Sequence, residues 1–336
     1  QQAGCRKPFE RLWISSMEDS AIREGFEQLK PSAEYDALYE AALCRERADW
    51  LVGINATRLF STLYGQTLNV GRVMTPTLAM VVMREAAISA FRPEPFYTVE
   101  LAFQDFTASG ERMKQKVIAD EVARKCVGSV LTVTKAENKE KSEKPPALYD
   151  LTSLQRDANR VLGFTAQQTL DYTQSLYEKK LVTYPRTDAR VLSTAVAKEI
   201  YKNISGLRSY PQAGEAAQGV LELGTYKNIA KTRYTNDKQI TDHYAIIPTG
   251  QGLSALKGLS LTAQRVYETI VRRFLSIFYP PAVYQKVSLV TKMENESFFS
   301  SFKVLLSEGY LKIAANSFAK KSMAEVSGKT PESEGE

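Results

Sequence analysis

The chain has 336 residues, of which 44 are Lys or Arg and 38 are Asp or Glu, giving a net charge of +6. This length allows more than one hydrophobic core, and the basic balance suits a polyanion such as nucleic acid without requiring one. Three distant cysteines without CxxC spacing (Cys5, Cys44 and Cys126) argue against a zinc site or disulfide framework. The lack of a signal peptide or of an apolar run of membrane length predicts a cytoplasmic protein with no membrane partner.

Helices dominate the predictions for the first part of the chain. Residues 11–16 are predicted as a short buried strand, and Ser16 with Asp19 fits a capping box for a helix that stops before Pro31. Apolar residues at helical spacing predict a helix from Tyr35 to Tyr64, closed by Gly65. A third predicted helix starts at the N-cap and first-turn pair Thr75-Pro76 and runs to about Phe91.

The composition then changes to β-branched and aromatic runs, which predict antiparallel strands over 96–103, 130–134, 284–291 and 298–305. The Lys/Glu-rich stretch from Lys135 to Lys144, with Pro145-Pro146 after it, is interpreted as a linker. Helical patterns return at 151–162, 166–179, 193–204 and 262–278. The sequence therefore predicts a helical block inserted into a β-rich one, followed by a disordered polar tail from Lys320 to Glu336.

A loop within the helical block, Leu181-Val182-Thr183-Tyr184-Pro185-Arg186-Thr187-Asp188, combines a tyrosine with an arginine two residues later. A tyrosine hydroxyl has a pKa near ~10, so a neutral-pH nucleophile needs a cation that favours the phenolate. The guanidinium of Arg186 supplies that charge and can grip two phosphate oxygens, while Pro185 stiffens the connection. The alternative interpretation is an ordinary surface turn with a half-buried tyrosine.

The run from Pro146 to Arg190 resembles the active-site segment of type IA DNA topoisomerases, the topoisomerase III branch in particular. The resemblance rests on four motifs in order: Leu154-Gln155-Arg156-Asp157-Ala158-Asn159-Arg160, Gly163-Phe164-Thr165-Ala166, Leu176-Tyr177-Glu178 and the Thr183–Asp188 loop. It implies that Tyr184 is a nucleophile that cuts one DNA strand and holds its 5′ phosphate, with Arg186 as the phosphate clamp. The family usually has Ser at the position of Ala189.

The same resemblance implies a multidomain α+β fold, a fragment of the type IA topoisomerase toroid with mostly helical domains and a β-rich arch. It divides the chain at the boundaries that follow: a remnant of the TOPRIM domain at 1–34, the first part of a helical DNA-groove domain at 35–91, a β-rich arch or hinge domain at 92–145 and 281–312, the helical domain of the active-site tyrosine at 146–280, and the tail at 313–336.

Further DNA contacts are implied for three segments. Arg45 and Asp49 share a helix face, which by itself predicts only a surface ion pair, yet the segment from Cys44 to Gly53 resembles the helix that lines the family's single-strand groove. The loop from Gly65 to Thr75 enters a helix N-terminus and resembles the family's phosphate-binding turn. There Arg72 and Thr75 are assigned to phosphate, Met74 replaces the usual Gln, and a cradle of free N–H groups is expected. Thr187 and Asp188 are also assigned to DNA.

His243 is the single histidine of the chain and lies in Asp242-His243-Tyr244-Ala245-Ile246-Ile247-Pro248-Thr249. A lone histidine is usually a solvated or core residue. This run, however, resembles the family's His-x-Ala-Ile-x-Pro-Thr motif, which implies that His243 lies beside the scissile phosphate and donates a hydrogen bond or proton to DNA oxygens.

The family uses Mg²⁺, held by an acidic Asp-x-Asp-x-Glu cluster that this sequence lacks. We therefore expect an N-terminally truncated, monomeric fragment without metal ligands, which by itself does not relax supercoiled DNA. The implied function of the whole enzyme, an isomerase, is ATP-independent breakage, passage and religation of single-stranded DNA. A tyrosine recombinase is disfavoured because that class needs an arginine–histidine constellation, and a non-catalytic single-stranded DNA-binding scaffold is the main alternative.

Overall fold

The computed structural model describes residues 7–14 and 19–317, which fall into two compact units on either side of the junction between Pro95 and Phe96. The first unit is mainly helical. Its elements, in chain order, are strand β1 (Glu10–Arg11), helix α1 (Asp19–Glu27), strand β2 (Lys30–Pro31), helix α2 (Asp36–Tyr64) and helix α3 (Met74–Ser89).

Two predictions for the first unit are wrong in detail. Of the strand predicted as buried over 11–16, Arg11 belongs to the two-residue, exposed β1, which pairs with β2, and residues 12–14 are not in a strand. Residues 15 and 16 lie outside the described residues. Helix α3 starts at Met74 with Val73 as N-cap, so Thr75 lies inside the first turn, where the missing N–H of Pro76 costs no hydrogen bond. Helix α2 ends as predicted, at Gly65 in the left-handed conformation. Ser16 and its proposed capping box lie outside the described residues.

The second unit contains a five-stranded antiparallel sheet with strand order β3-β4-β7-β6-β5. Its strands are β3 (Glu100–Ala102), β4 (Thr107–Gly110), β5 (Thr132–Glu143), β6 (Ala282–Met293) and β7 (Glu296–Ser307). Helix α4 (Lys116–Cys126) lies between β4 and β5 in the chain, and its Ala119 and Val122 share a small core with Phe298. The sequence patterns had predicted neither β4 nor α4.

The interpretation of residues Lys135 to Lys144 as a linker is wrong, because β5 includes them up to Glu143 and pairs with β6 as far as Ala282. The cause is the position of β5 at the edge of the sheet, where charged side chains remain in water while the backbone is paired. Residues of alternating charge share one face of this strand: Lys135 and Lys139 hydrogen-bond Glu137 and lower its pKa to about 2.

The helical block inserted between β5 and β6 contains the main hydrophobic core. Its helices are α5 (Leu151–Leu162), α6 (Ala166–Glu178), α7 (Thr194–Gly206), α8 (Gly214–Leu223) and α9 (Leu261–Ser276), and a short α10 (Leu311–Ala314) follows β7. Helix α9 is central: Tyr267 and Phe274 are fully buried, and α9 packs against α5, α6 and α8. The predicted nesting of the two blocks is thus present, with α8 as an additional helix.

Side-chain caps fix where these helices begin, as the sequence signals indicate. Asp150 and Ser153 form a capping box on α5, and Thr165 and Gln168 form one on α6. Gly163, at a φ of 72°, closes α5 in the left-handed conformation that a side chain would oppose. The start of α6 is therefore defined locally, and its other end leads directly into the loop that contains Tyr184.

Candidate active site

The loop around Tyr184 is bound along its length to the segment around His243. Val182 forms an isolated antiparallel bridge with Pro248, and the N–H of Thr183 donates to the carbonyl of Ile247 over 3.0 Å. The buried hydroxyl of Thr183 donates to the carbonyl of Ala245 and accepts from the N–H of Ile247, both over 2.9 Å. These hydrogen bonds join residues 62 and 64 positions apart in the sequence. The two motifs thus form one local structure.

Tyr184 is half-buried, and two aromatic rings contact its own. The centroid of the His243 ring lies 4.2 Å from that of Tyr184, with an angle of 38° between the ring planes. The ring of Tyr177, from the last turn of α6, stands nearly perpendicular at 80° and 5.4 Å. Burial raises the pKa of the Tyr177 hydroxyl above its ordinary value, and the neighbouring Tyr184 raises it further. The predicted nucleophile and the single histidine are therefore in direct contact.

Arg186 is exposed, and its Nη1 donates to the side-chain oxygen of Gln174 over 2.7 Å. Gln174 in turn donates through Nε2 to the carboxylate of Glu178 over 3.0 Å. The guanidinium therefore has a neutral direct acceptor on α6, and the exposed side chain is accessible to an anion from solvent. Pro185, between Tyr184 and Arg186, is buried.

Of the two loop residues assigned to DNA, Thr187 is buried. It is only 7% exposed, and its hydroxyl donates to the carbonyl of His243 over 2.9 Å. The same hydroxyl accepts from the N–H of Ala189 over 3.1 Å. These bonds hold the loop of Tyr184 to that of His243, so Thr187 has a structural position. Asp188, the other loop residue assigned to DNA, is exposed.

In the first unit, Asp49 of α2 forms an ion pair with Arg72, whose Nε lies 2.5 Å from Oδ1. The spacing of Arg45 and Asp49 by itself predicts a surface ion pair between them. In the described part of the chain, Asp49 instead pairs with Arg72 of the loop that follows α2. Both partners are substantially exposed, so this pair contributes little to stability and a phosphate could replace the carboxylate. Arg45 and Asp49 line a shallow groove of about 410 Å³ along α2.

The loop before α3 does not provide the expected cradle of free N–H groups at three of its positions. The N–H groups of Leu68 and Val70 donate to hydroxyls of α2, Ser61 and Thr57, each over 2.9 Å. The N–H of Gly71 donates to the hydroxyl of Thr75 over 3.0 Å. Thr75 therefore binds its own loop, while Arg72 is the exposed cation at this end of α3.

Among residues 7–14 and 19–317, no group of three or more His, Cys, Asp or Glu side chains could hold a metal ion. These residues do not fit the Mg²⁺ that the family resemblance implies. No helix in the same part of the chain combines the length and the apolar character that crossing a membrane requires. Cys44 is exposed and Cys126 is partly buried, both as free thiols.

Three residues of α6 at the candidate site were not among the predicted site residues: Gln174, Tyr177 and Glu178. Tyr177 and Glu178 belong to a motif of the family resemblance, and for Gln174 the available signal was its i, i+3, i+4 spacing with them, which places all three on one helix face immediately before the loop. That signal is weak, because such spacing is common on solvated helix faces.

The family model described as DNA topoisomerase matches residues 33–334 of this chain. DNA topoisomerase 3 of Bacillus subtilis is 39% identical over 318 residues, and DNA topoisomerase 3 of Bacillus licheniformis is 38% identical over the same length; each alignment covers 92% of this chain and 43% of the relative. DNA topoisomerase 3 of Bacillus cereus is 36% identical over 324 residues, or 93% of this chain and 43% of the relative. The chain thus spans less than half the length of these relatives.

The fold has a counterpart among solved structures. Full-length topoisomerase I from Thermotoga maritima superposes with a TM-score of 0.67 at 23% identity, covering 97% of this chain and 52% of that one. The predicted multidomain α+β fold class is confirmed by this match, and the family resemblance is confirmed by the sequence relatives. The chain therefore belongs to the type IA DNA topoisomerase family and is similar to its topoisomerase 3 members.

Proposed function

We propose that this chain provides the tyrosine nucleophile of an ATP-independent, type IA DNA topoisomerase that acts on single-stranded DNA. The observation that carries the proposal is the direct contact between the rings of Tyr184 and His243, held by paired loops within one unit. An ordinary turn needs no such arrangement of a tyrosine against the single histidine, with an exposed arginine two residues away. The similarity in sequence to proteins named DNA topoisomerase 3 supports the same proposal independently of the structure.

The proposed reaction consists of two transesterifications. The Tyr184 oxygen attacks a phosphodiester phosphorus and loses its proton, the P–O bond to the 3′ oxygen breaks, and that oxygen leaves as a hydroxyl after gaining a proton. Arg186 stabilises the charge on the attacked phosphate, and His243 donates a hydrogen bond or proton to DNA oxygens. One ester replaces another, so religation by the reverse steps needs no ATP.

We further propose that Arg45, Asp49, Arg72 and Thr75 bind or organise the DNA strand from the first unit, and that Asp188 does so from the second. Support comes from the groove along α2 and from the exposed Arg72, which can exchange a carboxylate for a phosphate. Thr187 is assigned the role of holding the His243 loop. For the whole protein we also propose the use of Mg²⁺, a monomeric state and action in the bacterial cytoplasm, where the chromosome lies. The steps assigned to the residues of this chain do not involve the metal.

Tyr184→Phe tests the proposal against the non-catalytic scaffold. The full-length gene product is incubated with a labelled single-stranded oligonucleotide and stopped with detergent, and the covalent adduct is resolved on a denaturing gel. We expect an adduct with the wild type, none with Tyr184→Phe, and equal non-covalent binding by both. Absence of an adduct in the wild type, together with undiminished binding, would support the scaffold instead.

A further inference from the structure

One face of α6 contacts two of the residues proposed for the cleavage reaction, Tyr184 and Arg186. Gln174 and Tyr177 are three residues apart, so they project from the same side of the helix. Gln174 accepts a hydrogen bond from Arg186, and Tyr177 packs edge-on against Tyr184. The adjacent side of α6, with Thr173 and Leu176, is buried, and α6 packs against α9. A rigid element thus supports the nucleophile and its cation at a fixed separation.

The side chain of Gln174 has a defined orientation because both ends of its amide are bonded. Its Nε2 donates to the carboxylate of Glu178 over 3.0 Å, which directs the oxygen towards Nη1 of Arg186 at 2.7 Å. The amide therefore lies between a carboxylate and a guanidinium that could otherwise pair directly. The acceptor itself is neutral, so the guanidinium is held without the Coulombic attraction that a carboxylate would add.

We propose that Gln174 and Tyr177 are positioning residues for the proposed cleavage reaction: Gln174 holds Arg186 as a neutral acceptor that a DNA phosphate can displace, and Tyr177 orients the ring of Tyr184. The inference rests on the proposed function, since it concerns the same tyrosine and arginine. Neutrality is the essential property of Gln174. A carboxylate at this position would keep the guanidinium in an ion pair and would place a negative charge beside the incoming phosphate.

Two substitutions separate the charge of residue 174 from its shape. Gln174→Glu keeps the size and the acceptor oxygen but adds a charge, and Gln174→Met keeps the approximate shape but removes the hydrogen bond. We expect single-turnover cleavage of a labelled single-stranded oligonucleotide to fall roughly 30-fold or more for Gln174→Glu and roughly 3- to 10-fold for Gln174→Met, by comparison with the ~10²-fold loss of a complete transition-state donor. Binding of the oligonucleotide by Gln174→Met should remain within about two-fold of the wild type.

Gln218 provides the matched control. On α8 its Nε2 donates to Glu222 over 3.0 Å, the same i, i+4 arrangement as Gln174 with Glu178. Gln218 is exposed, whereas Gln174 is half-buried. Gln218→Glu therefore adds the same like-charge repulsion to a helix without contacting Tyr184 or Arg186 in the described structure. Its cleavage rate should equal that of the wild type. Equal cleavage by Gln174→Glu and the wild type, or an equal loss in Gln174→Met and Gln174→Glu, would overturn the role of the neutral acceptor.

Tyr177 is tested through its ring. Tyr177→Phe preserves the edge-on contact and should retain cleavage within about three-fold of the wild type, whereas Tyr177→Leu removes the ring and should lower cleavage by roughly 10-fold, as expected when a reacting group loses its alignment. Thermal unfolding of each variant identifies a loss that comes from misfolding. If Tyr177→Phe lost as much activity as a folded Tyr177→Leu, the hydroxyl would be the important group and the orienting role of the ring would be wrong.

A measurement without DNA distinguishes this inference from the proposed function. Rotation of the Arg186 guanidinium, followed by nitrogen-15 NMR, should be slow in the wild type and faster in Gln174→Met, because the hydrogen bond that restrains it has been removed. Identical rotation in the two proteins would overturn the positioning role even if cleavage occurred. Absence of any covalent adduct in the wild type would instead overturn the proposed function, while the NMR result would still report on Gln174.

Discussion

At the scale of single residues, the candidate site is defined by the contacts between its side chains. Tyr184 packs against His243 and Tyr177, and Arg186 is hydrogen-bonded to Gln174. The contact between Tyr184 and His243 could be expected from the sequence because each residue lies in a motif of the resembled family, while their roles, and that of Arg186, stay predictions. The contact of Gln174 could not be expected, because only the folded loop shows which residue of α6 the guanidinium reaches.

Arg186→Lys tests the clamp. Lysine keeps the charge but lacks the planar fork that can bond two oxygens of one phosphate, so binding should persist while the cleavage and religation rates fall roughly 10²-fold. Rates of adduct formation and of religation after a salt jump provide the measurement, with Arg208→Lys, at another exposed arginine of the same unit, as the control. An unchanged adduct rate in Arg186→Lys would return Arg186 to the status of a structural loop residue.

At the scale of elements, the loop of Tyr184 is defined by hydrogen bonds to a distant segment rather than by its own turn. Thr183 and Thr187 supply the side-chain bonds, to Ala245, Ile247 and His243. The helices that flank this region were predicted well because capping residues and apolar spacing act locally. Strand β5 was missed because its charge pattern is typical of a linker, and only its pairing with β6 reveals the strand.

Thr183→Val is the most direct test of this connection. The replacement has nearly the same shape, but it leaves the buried carbonyl of Ala245 and N–H of Ile247 without this partner, so the free energy of unfolding should fall by about 1–3 kcal/mol. Urea denaturation measures the change. Thr134→Val, at an exposed threonine that donates to Val290 of the sheet, should change the stability by less than about 0.5 kcal/mol. Equal effects of the two substitutions would contradict the importance of the buried hydroxyl.

The start of α7 should depend on pH through Asp237. The hydroxyl and N–H of Thr194 both donate to this carboxylate and lower its pKa below the ordinary value. A lowered pKa in the folded state means that the stabilisation is present above the unfolded pKa, near ~3.9, and is lost as the pH falls through the folded pKa. The difference in Tm between wild type and Asp237→Asn should therefore shrink between pH 6 and pH 3. A difference that does not vary with pH would rule out the charged cap.

At the scale of the whole chain, a helical block inserted between two paired strands was predictable from the order of helical and β-branched patterns. The predicted domain boundaries within the two units stay predictions, because residues 96–317 form one compact unit in which helices and sheet occur together. The candidate residues belong to two different units, and the sequence does not show which side chains surround them. Arg45, Asp49 and Arg72 lie in the first unit, and Tyr184, Arg186 and His243 in the second.

The grouping of cations in the first unit predicts how the chain binds DNA. We expect tighter binding to a single-stranded oligonucleotide than to a duplex of the same length, with an affinity that falls steeply as salt rises. Arg45→Ala and Arg72→Ala should each reduce the slope of log affinity against log salt by roughly 0.7. Arg124→Ala, on α4, is the control, since that side chain donates to the Asp120 carbonyl of its own helix. Equal affinity for duplex, or unchanged slopes, would contradict this assignment.

The most direct test of the central claim is to locate the covalent bond. The full-length gene product is trapped on single-stranded oligonucleotides labelled at either end, and the adduct is digested with trypsin and sequenced by mass spectrometry. We predict that the label at the 3′ end remains with the protein, and that the nucleotide is attached to the peptide Leu181–Arg186, in which Tyr184 is the only tyrosine. Attachment to another residue, or retention of the label at the 5′ end, would contradict the assignment of Tyr184 as the nucleophile that holds the 5′ phosphate.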